Sequence, residues 1–185
     1  HLPNTNVDDV MNALKMCDER IISDKYLSGG MGDGGGCHPR DNIALSWLSD
    51  ELGLKFNWFD NIMKQREVQT EWLADLIEEH SNGLPINILG KSFKPQTNIT
   101  TGSPSILLNN ILEERGHAVF MWDPYVDGPF PTEYGEFDEP QCYFIGTKHD
   151  DFVNFPYEKD SIIIDPWRFI PDIYNCKVIR IGDNN

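Results

Sequence analysis

Between residues 84 and 124 the chain reads as strand, helix, strand, and this succession constrains its fold more than any other feature. PINILG is a short buried-strand candidate. SPSILLNNILEERGH is a helix with Ser103 as N-cap, Pro104 at the first helical position and Gly116 just past the end. AVFMWDP is the next strand, with Asp123 at its carboxyl end. Such a unit has a right-handed crossover and parallel strands. After a loop rich in Pro, Gly and Glu (residues 127–140), CYFIGT, SIIID and KVIRIG add three strands. The expectation is an α/β protein whose second half is an open, mostly parallel sheet of Rossmann-like form. Ligands belong at the carboxyl ends of such strands.

The first half follows a helical pattern. NVDDVMNALKMCDE places Val7, Val10, Met11 and Leu14 at helical spacing. Ile43, Ala44, Trp47, Leu48 and Leu52 form a second stripe that Gly53 stops. A third helix is expected from Trp58 to His80, with Phe59, Ile62, Met63, Trp72, Leu73 and Leu76 on one side, until Ser81-Asn82-Gly83 breaks it. The expected division is a helical region over residues 1–83 and an α/β region over residues 84–185.

Thirty acidic against fifteen basic side chains give a formal net charge of −15. Such a surface repels nucleic-acid phosphates and anionic lipid, so neither is an expected partner. An anionic small ligand needs local basic groups and backbone amides to hold it against that field. No apolar run approaches the roughly 18 residues that span a bilayer, and no signal-peptide pattern opens the chain. It begins at His1, which points to a processed, trimmed or partial chain. Cys17, Cys37, Cys142 and Cys176 form no C-x-x-C pair, so reduced thiols in a cytoplasmic setting are expected. The five histidines include no H-E-x-x-H and no Cys/His cluster, and no metal site is expected.

GGMGDGGGCHPRDNIALSWL (residues 29–48) packs six glycines and a cysteine against a helix start. Gly30, Gly32 and Gly35 spell G-x-G-x-x-G, but the preceding DERIISDKYLS is charged and is no buried strand, so the dinucleotide fingerprint is rejected. The glycines either let backbone amides approach an anion or form a plain linker. Cys37 precedes a helix expected to open near Pro39, where free amides, the helix dipole and Arg40 favour a thiolate. Asp41, one turn on, is placed to face the sulfur and to position a water or take a proton. The competing reading is a small buried cysteine at a loop–helix junction. His38 is a poor base for Cys37, because adjacent residues at a helix start point different ways. In KSFKPQTN, Lys94 is a candidate anion contact beside the apolar wall of Phe93, and Arg168 in DPWRF is its candidate basic partner. Asp123 either accepts from a ribose hydroxyl or closes a turn with Pro124.

These segments, in this order, resemble the nucleotide-sugar dehydrogenases of the UDP-glucose/GDP-mannose dehydrogenase family. GDGGGCHPRD resembles the family's G-F-G-G-S-C-x-x-K-D catalytic loop, and ILGKSFKPQTNITTGSP its G-x-x-F-K-x-x-T-D-D-x-R-E-S-P segment. WDP, DPWR and DERI fall in register. The resemblance covers the family's central helical region and its C-terminal nucleotide-sugar-binding domain, with no counterpart of the N-terminal NAD-binding domain. It implies oxidation of a sugar C6 alcohol to a carboxylate with NAD as cofactor. Cys37 would attack the aldehyde and Asp41 would assist the proton and water chemistry. Ser28, Gly29, Gly30, Met31, Gly32, Asp33 and Gly34 would line the sugar-nucleotide pocket with Phe93, Lys94 and Arg168. Arg20 would reach a partner subunit's site, and Cys37, His38, Pro39 and Arg40 would meet the cofactor. A homodimer through the helical region is implied, with UDP-glucose or a related nucleotide sugar as partner. A module that binds a nucleotide sugar without chemistry is the alternative. Thr101 replaces an NAD-contacting arginine of the family, Arg40 its lysine and Asp33 an aromatic, while Ser28 falls where some members have a lysine.

Overall fold

The computed structural model describes residues 3–17, 19, 23–32, 34–130 and 139–184. Arg20 and Asp33 lie outside them. Asn6 opens the first helix, α1 (Val7–Lys15), by accepting the Asp8 N–H at 2.8 Å. After a 3-10 turn at Asp24–Tyr26 and the glycine loop, α2 runs from Cys37 to Glu51. It therefore opens at Cys37, two residues before the expected Pro39. Pro39 still falls within the first turn, where a missing N–H costs nothing. Asn57 caps α3 (Trp58–Ser81) on the Asp60 N–H, and Asn82 ends it in the left-handed region at φ 52°.

Five strands follow, β1 (Ile86–Leu89), β2 (Val119–Trp122), β3 (Cys142–Ile145), β4 (Ile162–Asp165) and β5 (Lys177–Arg180), with α4 (Pro104–Glu114) between the first two. Every pairing is parallel, and the order is β2-β1-β3-β4-β5. The sheet is thus wholly parallel. β1, β3 and β4 are buried at all four positions, which is why their sequences are apolar but for Asn87 and Asp165 rather than alternating.

The sheet has a core on each face. On one, Leu73, Ala74 and Ile77 of α3 pack with Leu108 and Leu112 of α4 against Ile88, Phe144 and Ile164. On the other, Leu89, Trp122, Tyr143, Ile145, Phe152 and Ile163 gather, with Phe155 and Tyr157 at the margin. The last part of α3 is therefore core to the sheet. The stripe of α2 behaves differently: Ile43, Trp47, Leu48 and Leu52 all remain exposed, Trp47 to 63%, and Ser49 is the residue α2 buries. Within the chain no element covers that stripe among the described residues. None of the described helices is long and apolar enough to cross a membrane.

Candidate functional site

The chain leaves β1 outward to β2 and returns to β3 on the other side, so the sheet has a switch point between the carboxyl ends of β1 and β3. Loops from four strands converge near it. Asp123, at the end of β2 and fully buried, organises them. Its Oδ2 accepts the backbone N–H groups of Lys91 at 2.7 Å and Ser92 at 2.9 Å, and its Oδ1 that of Tyr125 at 2.8 Å. Burial alone would raise this carboxyl, but His149 and the three backbone donors outweigh it and hold Asp123 well below the usual carboxylate range. The ribose-acceptor reading of Asp123 fails, because its oxygens are buried and spent on the protein. The turn-closing reading stands: the Asp127 N–H returns to the Asp123 carbonyl at 2.8 Å.

The loop thus held after β1 presents Phe93 and Lys94, and the glycine loop folds directly onto it. A β-carbon on Gly35 would lie 2.9 Å from Phe93 Cε2. The Gly35 N–H donates to the Gly102 carbonyl at 3.3 Å, and Arg66 Nη2 of α3 donates to the same carbonyl at 3.0 Å. Gly30 lies flat against the Trp167 indole. Over this stretch the glycines are packed against the rest of the fold rather than forming a plain linker. Gly30 and Gly35 are positions where backbone meets a ring with no room for a side chain.

Between the two loops lies a cleft of about 660 Å³. Ser28, Gly29, Gly30, Met31, Gly32, His38, Phe93 and Lys94 line it, so eight of the sequence-derived candidates come together. The Lys94 ammonium lies 5.4 Å from the Phe93 ring centroid. Lys25 adds a second cation, and among the described lining residues there is no carboxylate. On a chain of net charge −15 this is a local inversion of sign, suited to an anionic ligand. Gly34 abuts Pro104 and Phe93 just outside this lining.

Arg168 is placed otherwise. Its Nε and Nη2 grip the Asp8 carboxylate at 2.8 and 2.9 Å, Nη1 donates to the carbonyls of Pro166 and Ile181, and Nη2 also donates to that of Gly29. All five N–H groups are thereby engaged, and the side chain is 6% exposed. The convergent Lys94–Arg168 pair expected from sequence does not form. Arg168 instead ties α1 and the end of β5 to the first glycine of the loop.

Cys37 is exposed at the first position of α2, behind a Gly36 cap that offers no side-chain bond. This overturns the buried-cysteine reading. Asp41 does not turn to the sulfur: its Oδ1 accepts from Arg40 Nε at 3.0 Å. Arg40 is the group between them, its pKa raised chiefly by Asp41 and further by Cys37. His38, Arg40 and Asp41 are exposed and Pro39 is partly so. Sequence reasoning missed Lys25, Gln69, Pro95 and Trp167, which complete the cleft. Trp167 was legible in DPWRF as a neighbour of Arg168, but nothing in the sequence places Gln69 of α3 under Gly32.

Residues 1–68 match the model of the UDP-glucose/GDP-mannose dehydrogenase family, central domain. A UDP-glucose 6-dehydrogenase of Bacillus subtilis is 30% identical over 106 residues, which cover 56% of this chain and 23% of that protein. A UDP-glucose 6-dehydrogenase of Haloferax volcanii is 26% identical over 169 residues, covering 83% of this chain and 39% of that one. The chain thus spans less than half the length of these relatives. In fold it is similar to a UDP-glucose dehydrogenase of Pyrobaculum islandicum, with a TM-score of 0.77 at 23% identity over 95% of this chain and 43% of the other. Residues 1–68 thus match the central domain of the UDP-glucose/GDP-mannose dehydrogenase family, and the chain as a whole is similar to its members in sequence and fold.

Proposed function

We propose that this chain is the substrate-binding part of an NAD-dependent nucleotide-sugar 6-dehydrogenase, which oxidises a sugar C6 alcohol to a carboxylate. The observation that carries the reading is the cleft, where Lys25, Lys94 and the 28–32 backbone form a cationic lining, free of carboxylates among the described residues, beside the apolar faces of Phe93 and Trp167. Such a lining suits a ligand with a charged phosphate centre and flat or apolar ends. Matching relatives are named UDP-glucose 6-dehydrogenases, so UDP-glucose is the leading candidate.

The cysteine supplies the nucleophile. Cys37 Sγ attacks the C6 aldehyde to give a thiohemiacetal, and the derived thioester is cleaved by water to the carboxylate and the free thiol. Arg40 interacts with both the Asp41 carboxylate and the Cys37 sulfur. Asp41, held by Arg40, must exchange that bond to orient the water or take its proton. NAD, if bound, would supply the hydride acceptor for the two oxidations. The exposed first turn of α2 fits one side of such a cofactor: Gly36 has no capping side chain, and Cys37, His38 and Arg40 face outward with Pro39 beside them. We also assign the uncovered stripe of α2 to a homodimer contact, and Arg20 to the partner's site.

Thermal unfolding of the whole chain against UDP-glucose, UDP-N-acetylglucosamine and GDP-mannose tests the reading. Saturable stabilisation by one of them, lost in Lys94→Ala, is the expected result. Selective, pH-dependent alkylation of Cys37 that the same ligand suppresses separates an enzyme site from a binding module. No response to any of the three overturns the assignment for this chain.

A further inference from the structure

Three side chains that line no part of the cleft, Ser92, Asp123 and His149, form a fully buried cluster behind it. The His149 ring stacks on Tyr125 at 4.7 Å with an interplanar angle of 24° and meets Phe152 edge-on at 5.5 Å, so its plane is fixed. Its Nδ1 accepts the backbone N–H of Gln96 at 3.0 Å. A nitrogen that accepts carries no proton, so the ring proton lies on Nε2. Nε2 is 3.0 Å from Asp123 Oδ2 and 3.0 Å from Ser92 Oγ. The Ser92 hydroxyl in turn reaches the Lys94 carbonyl at 3.1 Å.

One imidazole therefore holds both ends of the short loop from Ser92 to Gln96, and the loop's tip is Phe93–Lys94. Gln96 adopts φ 56°, a conformation that persists only where neighbours impose it. Its side chain adds a bond to Asp150 Oδ2 at 2.9 Å. Serine, histidine and aspartate come together here without forming a nucleophilic relay. Ser92 and Asp123 meet the same ring nitrogen, and no atom of the three reaches the cleft.

We infer that His149, neutral and protonated at Nε2, is a positioning residue that holds Phe93 and Lys94 in their ligand-facing form. This rests on the cleft being the nucleotide-sugar site. The role is distinct from packing, because an apolar ring of equal size would fill the space between Tyr125 and Phe152 and still release the Gln96 amide.

The test is a double-mutant cycle on the whole chain, read by UDP-glucose titration, with Gln96 amide exchange and the His149 ring-nitrogen shifts followed by NMR. Lys94→Ala and His149→Phe are each expected to weaken binding about tenfold, and the double variant no more than about threefold further, because one acts through the other. The Gln96 amide should exchange at least ~10-fold faster in His149→Phe while core-strand amides do not change. His149→Gln, whose carbonyl can accept from Gln96, should recover part of both losses, and it replaces His149→Phe if that variant fails to fold. Additive losses, an unchanged Gln96 amide, or a proton on Nδ1 in the wild type would overturn the inference. If the wild type binds no UDP-glucose, the functional reading falls, and the amide and ring-nitrogen readouts still decide whether His149 holds the loop.

Discussion

A β-carbon on Gly102 would lie 2.7 Å from the carbonyl carbon of Gly35, so the glycine loop and the loop before α4 meet backbone to backbone. Neither chain can yield without moving Phe93 or the first turn of α2. Gly102 also sits at φ 69°. Gly102→Ala should therefore cost about 3 kcal/mol in urea unfolding, combining strained dihedrals with overlap. Gly116, at φ 91° with open space around it, isolates the first effect alone. Gly116→Ala should cost only about 1 kcal/mol. Equal losses for the two would show that the contact between the loops carries no weight.

Arg168 and Asp8 give a second prediction. Arg168→Lys keeps the charge but cannot replace a five-donor fork that reaches one carboxylate and three carbonyls. A loss of about 3 kcal/mol is expected, with a weaker ligand response because Gly29 is released. Asp8→Asn, at a partly exposed site, should cost about 1 kcal/mol. A Lys variant as stable as wild type would argue that the guanidinium is not what fastens α1 to the sheet.

Acid should loosen the loops before it melts the sheet. Asp123 is held below its unfolded value, so the folded chain binds fewer protons there than the unfolded one. Asp8 is also lowered, chiefly by its hydrogen bonds with Arg168. The sign follows: both contributions are complete above the unfolded carboxylate value near 4 and are lost progressively as pH falls below it. Urea midpoints measured from pH 7 to pH 3 should decline most steeply below about pH 4.5. In Asp123→Asn that decline should flatten, on a baseline lower by roughly 3 kcal/mol. A variant with the wild-type slope would remove Asp123 as the origin.

The bare stripe of α2 is continued by Phe56 at 60% and Trp58 at 63% exposure, and contiguous apolar surface of this kind marks interaction sites. Sedimentation should show a concentration-dependent dimer. Trp47→Glu should shift it to monomer while raising solubility and leaving the β-sheet signal unaltered. A wild-type chain that stays monomeric at 100 μM, roughly the range of weak transient contacts, would remove the self-association reading.

Much of this arrangement is legible in sequence, for identifiable reasons. The runs INIL, CYFI and IIID, apolar but for Asn87 and Asp165, read as strands covered on both faces, and Ser103-Pro104 marks the start of α4. The gathering of Ser28–Gly32 with Phe93 and Lys94 was foreseeable from motif resemblance. Partner choice was not. Arg168 reads as a ligand contact until Asp8, 160 residues away, is seen to occupy it. Asp41 is legible in sequence as a candidate base, but its bond from the neighbouring Arg40 is not. The stripe of α2 has the right period for a core face, yet period reports only that some surface will cover it, not that this chain provides it.

α3 extends some 36 Å at the usual rise per residue, and its two ends have different company. Residues 73, 74 and 77 are locked in the sheet's core, whereas Trp58 stands bare beside the open stripe of α2. Midway, Gln69 touches the cleft beneath Gly32, and Arg66 grips the Gly102 carbonyl one turn earlier. One continuous helix thus carries the bare end, the floor of the cleft and part of the sheet's core.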